Sequence, residues 1–150
     1  MYAFEDFNKG DAFDLGTIAL IEEEIIAFAR RYDPQPFHVS PEQAEATIFG
    51  GVIASGWHPI VLFMERFARV VLNNSISLAS PGADEIRWLK PVRPGDILTA
   101  RVVVVDSRLS RSRTEMGIIR FNWEMINQVG ERVLTLQSTH FLGRKSQNER

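Results

Sequence analysis

The sequence predicts an α+β fold in which a curved antiparallel sheet wraps around one long central helix. Helix signals dominate as far as about residue 73, and from residue 84 onward the sequence is rich in the β-branched and aromatic residues typical of strands. The stretch 55–73 has almost no polar face, which indicates a helix that is buried all round. A sheet wrapped around this helix is the simplest way to bury it.

The composition fits a single domain spanning residues 1–150, with a polar tail from about residue 144. Of the 150 residues, 45% are hydrophobic and 24% are charged, and a chain of this length buries roughly 70% of its unfolded surface on folding. The net charge of −2 gives no electrostatic basis for binding nucleic acid. The central apolar stretch contains Glu65, Arg66 and Arg69, so a membrane span is a poor interpretation of it.

The chain contains no cysteine, which excludes disulfides, a thiolate nucleophile and a cysteine zinc site. With three histidines in the chain, a metal site is not expected. The segment 1–11 is acidic and aromatic, unlike the basic and apolar start of a signal peptide. We therefore expect a cytoplasmic protein.

The first half is predicted to contain one strand and three helices. A short strand over 12–20 precedes a helix over 22–32, which begins with three glutamates and ends near Arg30 and Arg31, as the helix dipole favours. Ser40 followed by Pro41 is an N-cap signature for a short helix that reaches about residue 47. The long central helix covers 55–73.

The second half is predicted to be a meander of four strands that follows a polar loop over 73–82. The strands are expected over 84–89, 96–106, 114–127 and 131–142. Along the third of them, apolar and polar residues alternate, as in a sheet that covers a core with one face. The apolar face consists of Ile119, Phe121, Trp123 and Met125.

Residues 32–38 (Tyr-Asp-Pro-Gln-Pro-Phe-His) place a carboxylate and an imidazole on a short, stiff loop. Pro34 and Pro36 fix their own φ angles and push the preceding residues out of the α region, so we expect this loop not to be helical. Asp33 and His38 are therefore candidate acid/base residues. Two alternatives stay open, because Asp33 is also typical of a turn before proline and His38 of a packed or surface histidine.

Residues 49–57 (Phe-Gly-Gly-Val-Ile-Ala-Ser-Gly-Trp) lead from a glycine pair into the central helix. Gly56 lies at its first turn, where a backbone N–H has no helical acceptor and the positive end of the dipole lies. A glycine there lets a ligand approach the backbone. Ser55 is interpreted as an N-cap or, alternatively, as a substrate contact. His58 and His140 are assigned to packing or to the surface.

These segments together resemble the MaoC-type acyl dehydratases, which are related to the (R)-specific enoyl-CoA hydratases of the hotdog fold. The resemblance runs from about residue 13 to about residue 141. It is carried by segments 32–38, 49–56 and 88–96 (Trp-Leu-Lys-Pro-Val-Arg-Pro-Gly-Asp), by 110–113 (Ser-Arg-Ser-Arg) with Gly117, and by 127–130 (Asn-Gln-Val-Gly).

The resemblance implies a hotdog fold and a hydro-lyase of fatty acid metabolism that adds water across the C2=C3 bond of an acyl-CoA thioester, or removes it. Asp33 and His38 match the catalytic pair of the family, and Gly56 matches the residue whose amide binds the thioester oxygen. A homodimer or higher homo-oligomer is also implied, with a tunnel near the subunit interface. No cofactor is implied apart from the coenzyme A that is part of the substrate.

The chemistry of these residues agrees with that implication. Hydration of a conjugated thioester needs a base for water, an acid for C2 and hydrogen-bond donors for the enolate oxygen. We expect Asp33 and His38 to hold one water and to share the first two tasks. The Gly56 amide supplies the third.

The turn over 107–113 carries Arg108, Arg111 and Arg113. Guanidinium groups suit phosphate oxygens, so these arginines are candidate contacts for the phosphates of coenzyme A. The alternative is a hairpin tip that is simply solvated.

Two positions depart from the pattern of the (R)-specific hydratases. Those enzymes often carry a serine about two turns past the matched glycine, where this chain has Met64, and a histidine before that glycine, where it has Ser55. Both changes are expected to affect the pocket but not the Asp33 and His38 pair. The substrate of those enzymes is therefore not transferred to this chain.

Two other functions stay open on the sequence. A non-catalytic acyl-CoA binding or partner subunit would use the same pocket without turnover. A thioesterase on the related scaffold would attack the carbonyl carbon and release a free thiol.

Overall fold

The computed structural model describes residues 1–146 and contains a five-stranded antiparallel sheet with the strand order β1-β3-β4-β5-β2. Residues 147–150, at the end of the predicted tail, lie outside the described residues. The fold class is α+β, as predicted. The strands are β1 (Ala12–Ala19), β2 (Ser77–Trp88), β3 (Ile97–Leu109), β4 (Met116–Ile126) and β5 (Arg132–Gly143). The helices are α1 (Glu22–Tyr32), α2 (Pro36–Val39), α3 (Pro41–Glu45) and α4 (Trp57–Val70), with 3-10 turns at Phe4–Asp6 and Leu72–Asn74.

The core lies between α4 and the apolar face of the sheet. Phe63 of α4 stacks on Trp123 of β4, with ring centroids 4.3 Å apart. Phe67, one turn further along α4, lies edge-on to Phe121 at 5.0 Å. The apolar face predicted for β4 is confirmed, because Ile119, Phe121, Trp123 and Met125 are all buried.

The prediction that the central helix is buried all round is wrong for the single chain. Phe63 and Phe67 are fully buried, but Trp57, Val61 and Met64 are 51%, 47% and 38% exposed. One sheet can cover only one side of a helix, so the other apolar side of α4 faces outward.

The prediction of a loop over 73–82 is also wrong in part, because β2 begins at Ser77. Pro81 and Gly82, which disfavour a central strand, lie on an edge strand here, where a missing N–H costs little. The pairing of β2 with β5 shifts register between Ala79 and Gly82. Of the twelve residues of β2, all but Ile86 are exposed.

The loop 32–38 was expected not to be helical, but its second half forms the single turn α2. Pro36 is the first residue of that turn, a position where proline needs no hydrogen bond and its fixed φ already suits a helix. The prolines stiffen the segment as expected. They leave His38 on a helical turn.

The chain after β5 is held against the N-terminal segment. Arg144 Nε lies 3.0 Å from a carboxylate oxygen of Glu5, and Lys145 Nζ lies 2.6 Å from one of Asp6. The predicted tail thus starts where β5 ends, but its first two residues are anchored. No helix within residues 1–146 is both long and apolar enough to cross a membrane.

A chain of buried polar groups crosses the core beneath α4. Trp123 Nε1–H donates to Ser138 Oγ at 2.8 Å, which leaves the Ser138 hydroxyl proton free for His140 Nε2 at 3.0 Å. Burial lowers the pKa of His140 to about 4. His58, stacked on Phe28 at 4.4 Å, also has a pKa below its usual value because it is buried.

We expect the free energy of unfolding to fall as the pH drops from about 6.5 toward 4, because the unfolded chain binds a proton that buried His140 excludes. The loss from His140 is about 2 kcal/mol between pH 7.5 and pH 5. His140→Gln is therefore expected to flatten the pH dependence measured by urea unfolding. Some slope remains, because His58 acts in the same direction. An unchanged slope would contradict this account.

Candidate active site

Asp33 and His38 face each other across the junction between α1 and α2. Asp33 is the C-cap of α1, where its backbone N–H donates to Ala29 C=O at 2.8 Å. His38 lies on α2 and is only 5% exposed. The distance from His38 Nε2 to Asp33 Oδ2 is 3.3 Å, so the two side chains that the sequence paired do meet.

The imidazole of His38 is held by the backbone of Ile53. His38 Nδ1 lies 2.7 Å from Ile53 C=O, and because a carbonyl only accepts hydrogen bonds, Nδ1 carries a hydrogen. Ile53 N–H donates back to Phe37 C=O at 3.2 Å. The proton that His38 exchanges is therefore the one on Nε2, the nitrogen that faces Asp33.

The carboxylate of Asp33 accepts hydrogen bonds on both oxygens. Gln35 Nε2 donates to Oδ1 at 2.7 Å, and Ser55 Oγ donates to Oδ2 at 2.7 Å. Burial on its own would raise the pKa of Asp33, but these two hydrogen bonds and the charge of His38 outweigh it and lower the pKa below its usual value. Asp33 is thus held as a carboxylate, the form a general base requires.

Gly56 is the N-cap of α4. Within residues 1–146, no acceptor is within hydrogen-bonding reach of its backbone N–H, which lies at the positive end of the helix dipole. A Cβ atom at Gly56 would overlap the indole ring of Trp88. Glycine is therefore required here because Trp88 fills the space of a side chain.

One cavity of about 470 Å³ brings Asp33, His38 and Gly56 together. Its remaining wall is mostly apolar and comes from the segments before α4, after β2 and at the start of β5. These residues include Phe49, Ile53, Trp57, Pro59, Trp88, Leu89, Val92, Val133 and Leu134.

The structure gives the Ser55 hydroxyl a contact beside the two roles that the sequence left open. Gly56 is the N-cap of α4, and Ser55, one residue earlier, accepts at Oγ from Trp57 N–H at 3.4 Å and at its C=O from His58 N–H at 3.0 Å. Ser55 is fully buried and does not line the cavity. Its hydroxyl hydrogen goes to Asp33 Oδ2, so the expectation that the departure at position 55 does not affect the Asp33 and His38 pair is wrong.

The three arginines of the predicted phosphate site lie at the other end of the sheet. Arg108 and Arg111 line a separate surface depression, and Arg113 N–H closes the turn by donating to Ser110 Oγ. The turn joins strands at the pair Leu109 and Gly117, beside Leu142, whereas the cavity is lined by Leu134. Eight residues of extended strand span roughly 27 Å, so these arginines do not reach the cavity of their own chain.

The cavity wall includes one cationic side chain, Lys90, which the sequence analysis did not identify as a site residue. Lys90 is the only lysine or arginine of residues 1–146 on the cavity wall, and its Nζ lies 3.4 Å from Glu131. Gln35 and Trp88 were likewise not assigned. All three belong to segments 32–38 and 88–96, so the available signal was their place in the recognised pattern. Met64 is exposed on α4 and is not on the cavity wall, so its departure from the hydratase pattern does not reshape this cavity.

The chain resembles known proteins over nearly its whole length. Residues 7–120 match the model of the family described as MaoC like domain. The crystal structure of the MaoC-like dehydratase from Rhodospirillum rubrum superimposes with a TM-score of 0.90 at 33% identity, covering 97% of this chain and 99% of that one. The (R)-specific enoyl-CoA hydratase of Rhodospirillum rubrum is 32% identical over 109 residues, which are 69% of this chain and 70% of the relative.

A more distant structure shows the fold alone. A Mycobacterium tuberculosis protein described as a double hotdog fold matches with a TM-score of 0.77 at 18% identity, and this chain covers 45% of it while 97% of this chain is matched. The predicted hotdog fold is confirmed. Because the family model matches well over half of the residues, the chain belongs to the MaoC-like domain family.

Proposed function

We propose that this protein catalyses the reversible addition of water to the C2=C3 bond of a 2-enoyl thioester, with a coenzyme A ester as the substrate. The observation that carries the proposal is the convergence of Asp33, His38 and the unpaired Gly56 N–H on one cavity. These are the base, the acid and the oxyanion donor that the reaction needs. The Rhodospirillum rubrum relative is named an (R)-specific enoyl-CoA hydratase, which supports a 2-enoyl coenzyme A ester as the substrate.

The proposed reaction uses one water between the two side chains. The Asp33 carboxylate takes a proton from that water as its oxygen bonds to C3. Negative charge moves to the thioester oxygen, which accepts a hydrogen bond from Gly56 N–H. His38 gives its Nε2 proton to C2, and a proton then passes from Asp33 to His38 to restore the pair. Dehydration is the reverse, and neither direction requires a metal or a redox cofactor.

The walls of the cavity suit an acyl chain better than a polar substrate. Most of the lining side chains are apolar, and the acid/base pair is part of the same wall. The product of hydration carries one hydroxyl at C3, which the pair itself can bind.

We expect Asp33→Asn and His38→Ala each to lower kcat by about 10² to 10⁴, the range typical of positioned acid/base groups. Turnover is followed by the loss of absorbance of the conjugated thioester, with crotonyl-CoA and with longer and branched 2-enoyl-CoA esters. Asp106→Asn, at a half-exposed carboxylate on β3 that does not line the cavity, is the matched control and keeps wild-type activity.

The same assay separates the other functions. Full activity in both variants, on a substrate that the wild type hydrates, would end the mechanism. Release of free thiol would identify a thioesterase. Saturable binding of an ester that remains unchanged would identify a non-catalytic binding subunit.

We expect Lys90→Gln to raise KM for the coenzyme A ester about two- to fivefold with little change in kcat, because an exposed ion pair with a phosphate contributes modestly. Arg111→Gln is the matched control and leaves KM unchanged if the cavity cation binds the phosphates. A rise in KM for Arg111→Gln alone would contradict the role of Lys90 and would indicate that the turn 107–113 binds the phosphates.

We also propose that two copies form a homodimer through an edge surface, defined as Trp57, Val61 and Met64 of α4 with Leu78 and Trp88 of β2. All five side chains are exposed, and the rings of Trp57 and Trp88 pack edge to face with their centroids 5.4 Å apart. The surface therefore continues from helix to strand. Among residues 1–146, strand β2 also has no partner on its outer side, a state that proteins usually avoid. The double hotdog fold of the Mycobacterium tuberculosis protein supports the pairing of two such domains.

The cytoplasmic location of the protein stays a prediction.

We expect light scattering after size exclusion to give twice the mass of the chain. Val61→Glu is expected to give the single-chain mass, because it places a charge on the edge surface. Ile48→Glu, at a 96% exposed isoleucine outside that surface, keeps the dimer. A wild-type monomer, or a dimer that survives Val61→Glu, would contradict the proposed surface.

A further inference from the structure

We propose that Ser55 is a positioning residue that holds Asp33 as the proton acceptor of the site. This inference rests on the proposed function for its catalytic meaning, but the contact itself is structural. Ser55 is 22 positions away from Asp33 in the chain, and its hydroxyl lies 2.7 Å from Asp33 Oδ2. The role differs from both the N-cap and the substrate contact that the sequence suggested.

The direction of the hydrogen bond follows from the neighbours of Ser55. Trp57 N–H can only donate, so Ser55 Oγ accepts at 3.4 Å on that side. The hydroxyl hydrogen is left for Asp33 Oδ2, which must then be an acceptor. Ser55 is 0% exposed, so water does not compete for that hydrogen.

The other contacts of the Asp33 carboxylate determine which acceptor position remains for a substrate water. An ionised carboxylate has about four acceptor positions. Ser55 and His38 face Oδ2, and Gln35 faces Oδ1. A free acceptor position therefore remains on Oδ1, while the buried donor fixes the rotation of the group. Without Ser55, Oδ2 would lose the one fully buried donor that residues 1–146 provide for it.

A purely structural role for the Ser55 hydroxyl predicts something different. Ser75, which follows the 3-10 turn after α4, is also buried and donates to Val71 C=O at 2.6 Å. Its removal costs a hydrogen bond of similar kind but touches no carboxylate. Ser75→Ala is therefore the matched control for the loss of a buried serine hydroxyl.

The first experiment is an NMR titration of Asp33 in the full chain with ¹³C-labelled aspartate carboxyl groups. We expect the Asp33 midpoint to rise by about one pH unit in Ser55→Ala. Ser55→Cys, whose thiol is a weaker donor of similar size, is expected to give an intermediate rise. Ser75→Ala leaves the midpoint unchanged. This readout needs no turnover, and each variant that folds tests the inference by itself.

The second experiment is the pH profile of kcat/KM for the 2-enoyl-CoA ester found active in the assay above. Because the base must be deprotonated, the acid limb is expected to move up by the same amount in Ser55→Ala, with a loss that approaches tenfold only at pH values below both midpoints and is absent at neutral pH. An Asp33 midpoint equal to wild type in Ser55→Ala and Ser55→Cys would overturn the inference, whatever the activity. A shifted midpoint in a protein that hydrates no thioester would keep the contact and overturn the proposed function, and with it the catalytic role of Ser55.

Discussion

The packing of α4 on β4 fixes the position of nearly everything else in this protein. Phe63 and Phe67 are fully buried against Trp123 and Phe121, and aromatic pairs of this kind contribute about 0.5–1.5 kcal/mol each beyond their buried area. This contact sets how far α4 reaches along the sheet. Its N-terminus therefore lies where β2 ends and β5 begins, and Gly56 meets the cavity there. The chemistry depends on where α4 begins, because the backbone N–H groups that lack a helical acceptor lie in the first turn of a helix.

The acid/base pair is built by contacts between segments that are distant in the chain. Asp33 is held by Ser55, and His38 is held by the carbonyl of Ile53, 15 residues away. The segment 52–55 thus supports both catalytic candidates, and its own backbone is held in turn by Ala54 N–H, which donates to Val92 C=O at 2.8 Å. Buried polar groups are stable only when their partners are in place. A folded core is therefore a condition for the geometry of the pair.

Much of the fold could be read from local patterns, because periodicity and caps act within a few residues. Helix α1 has the predicted bounds, and Ser40 accepts from Gln43 N–H as the N-cap signature indicates. The errors arise where tertiary position outweighs local preference. Pro81 and Gly82 are accepted in β2 because it is an edge strand, and α4 has an exposed apolar side that hydrophobicity alone cannot locate. The pairing of Asp33 with His38 was predicted from their spacing, whereas Ser55 and Lys90 depend on how distant segments meet.

The contact between Gly56 and Trp88 ties two positions that are 32 residues apart in the sequence. A methyl group at position 56 would occupy the volume of the indole ring, so alanine there requires the ring to leave or to be replaced by a smaller side chain. In the other direction, loss of the tryptophan removes this steric reason for glycine. Substitutions at positions 56 and 88 are therefore coupled by sterics. We expect the two positions to covary among members of this family, independently of the acid/base pair.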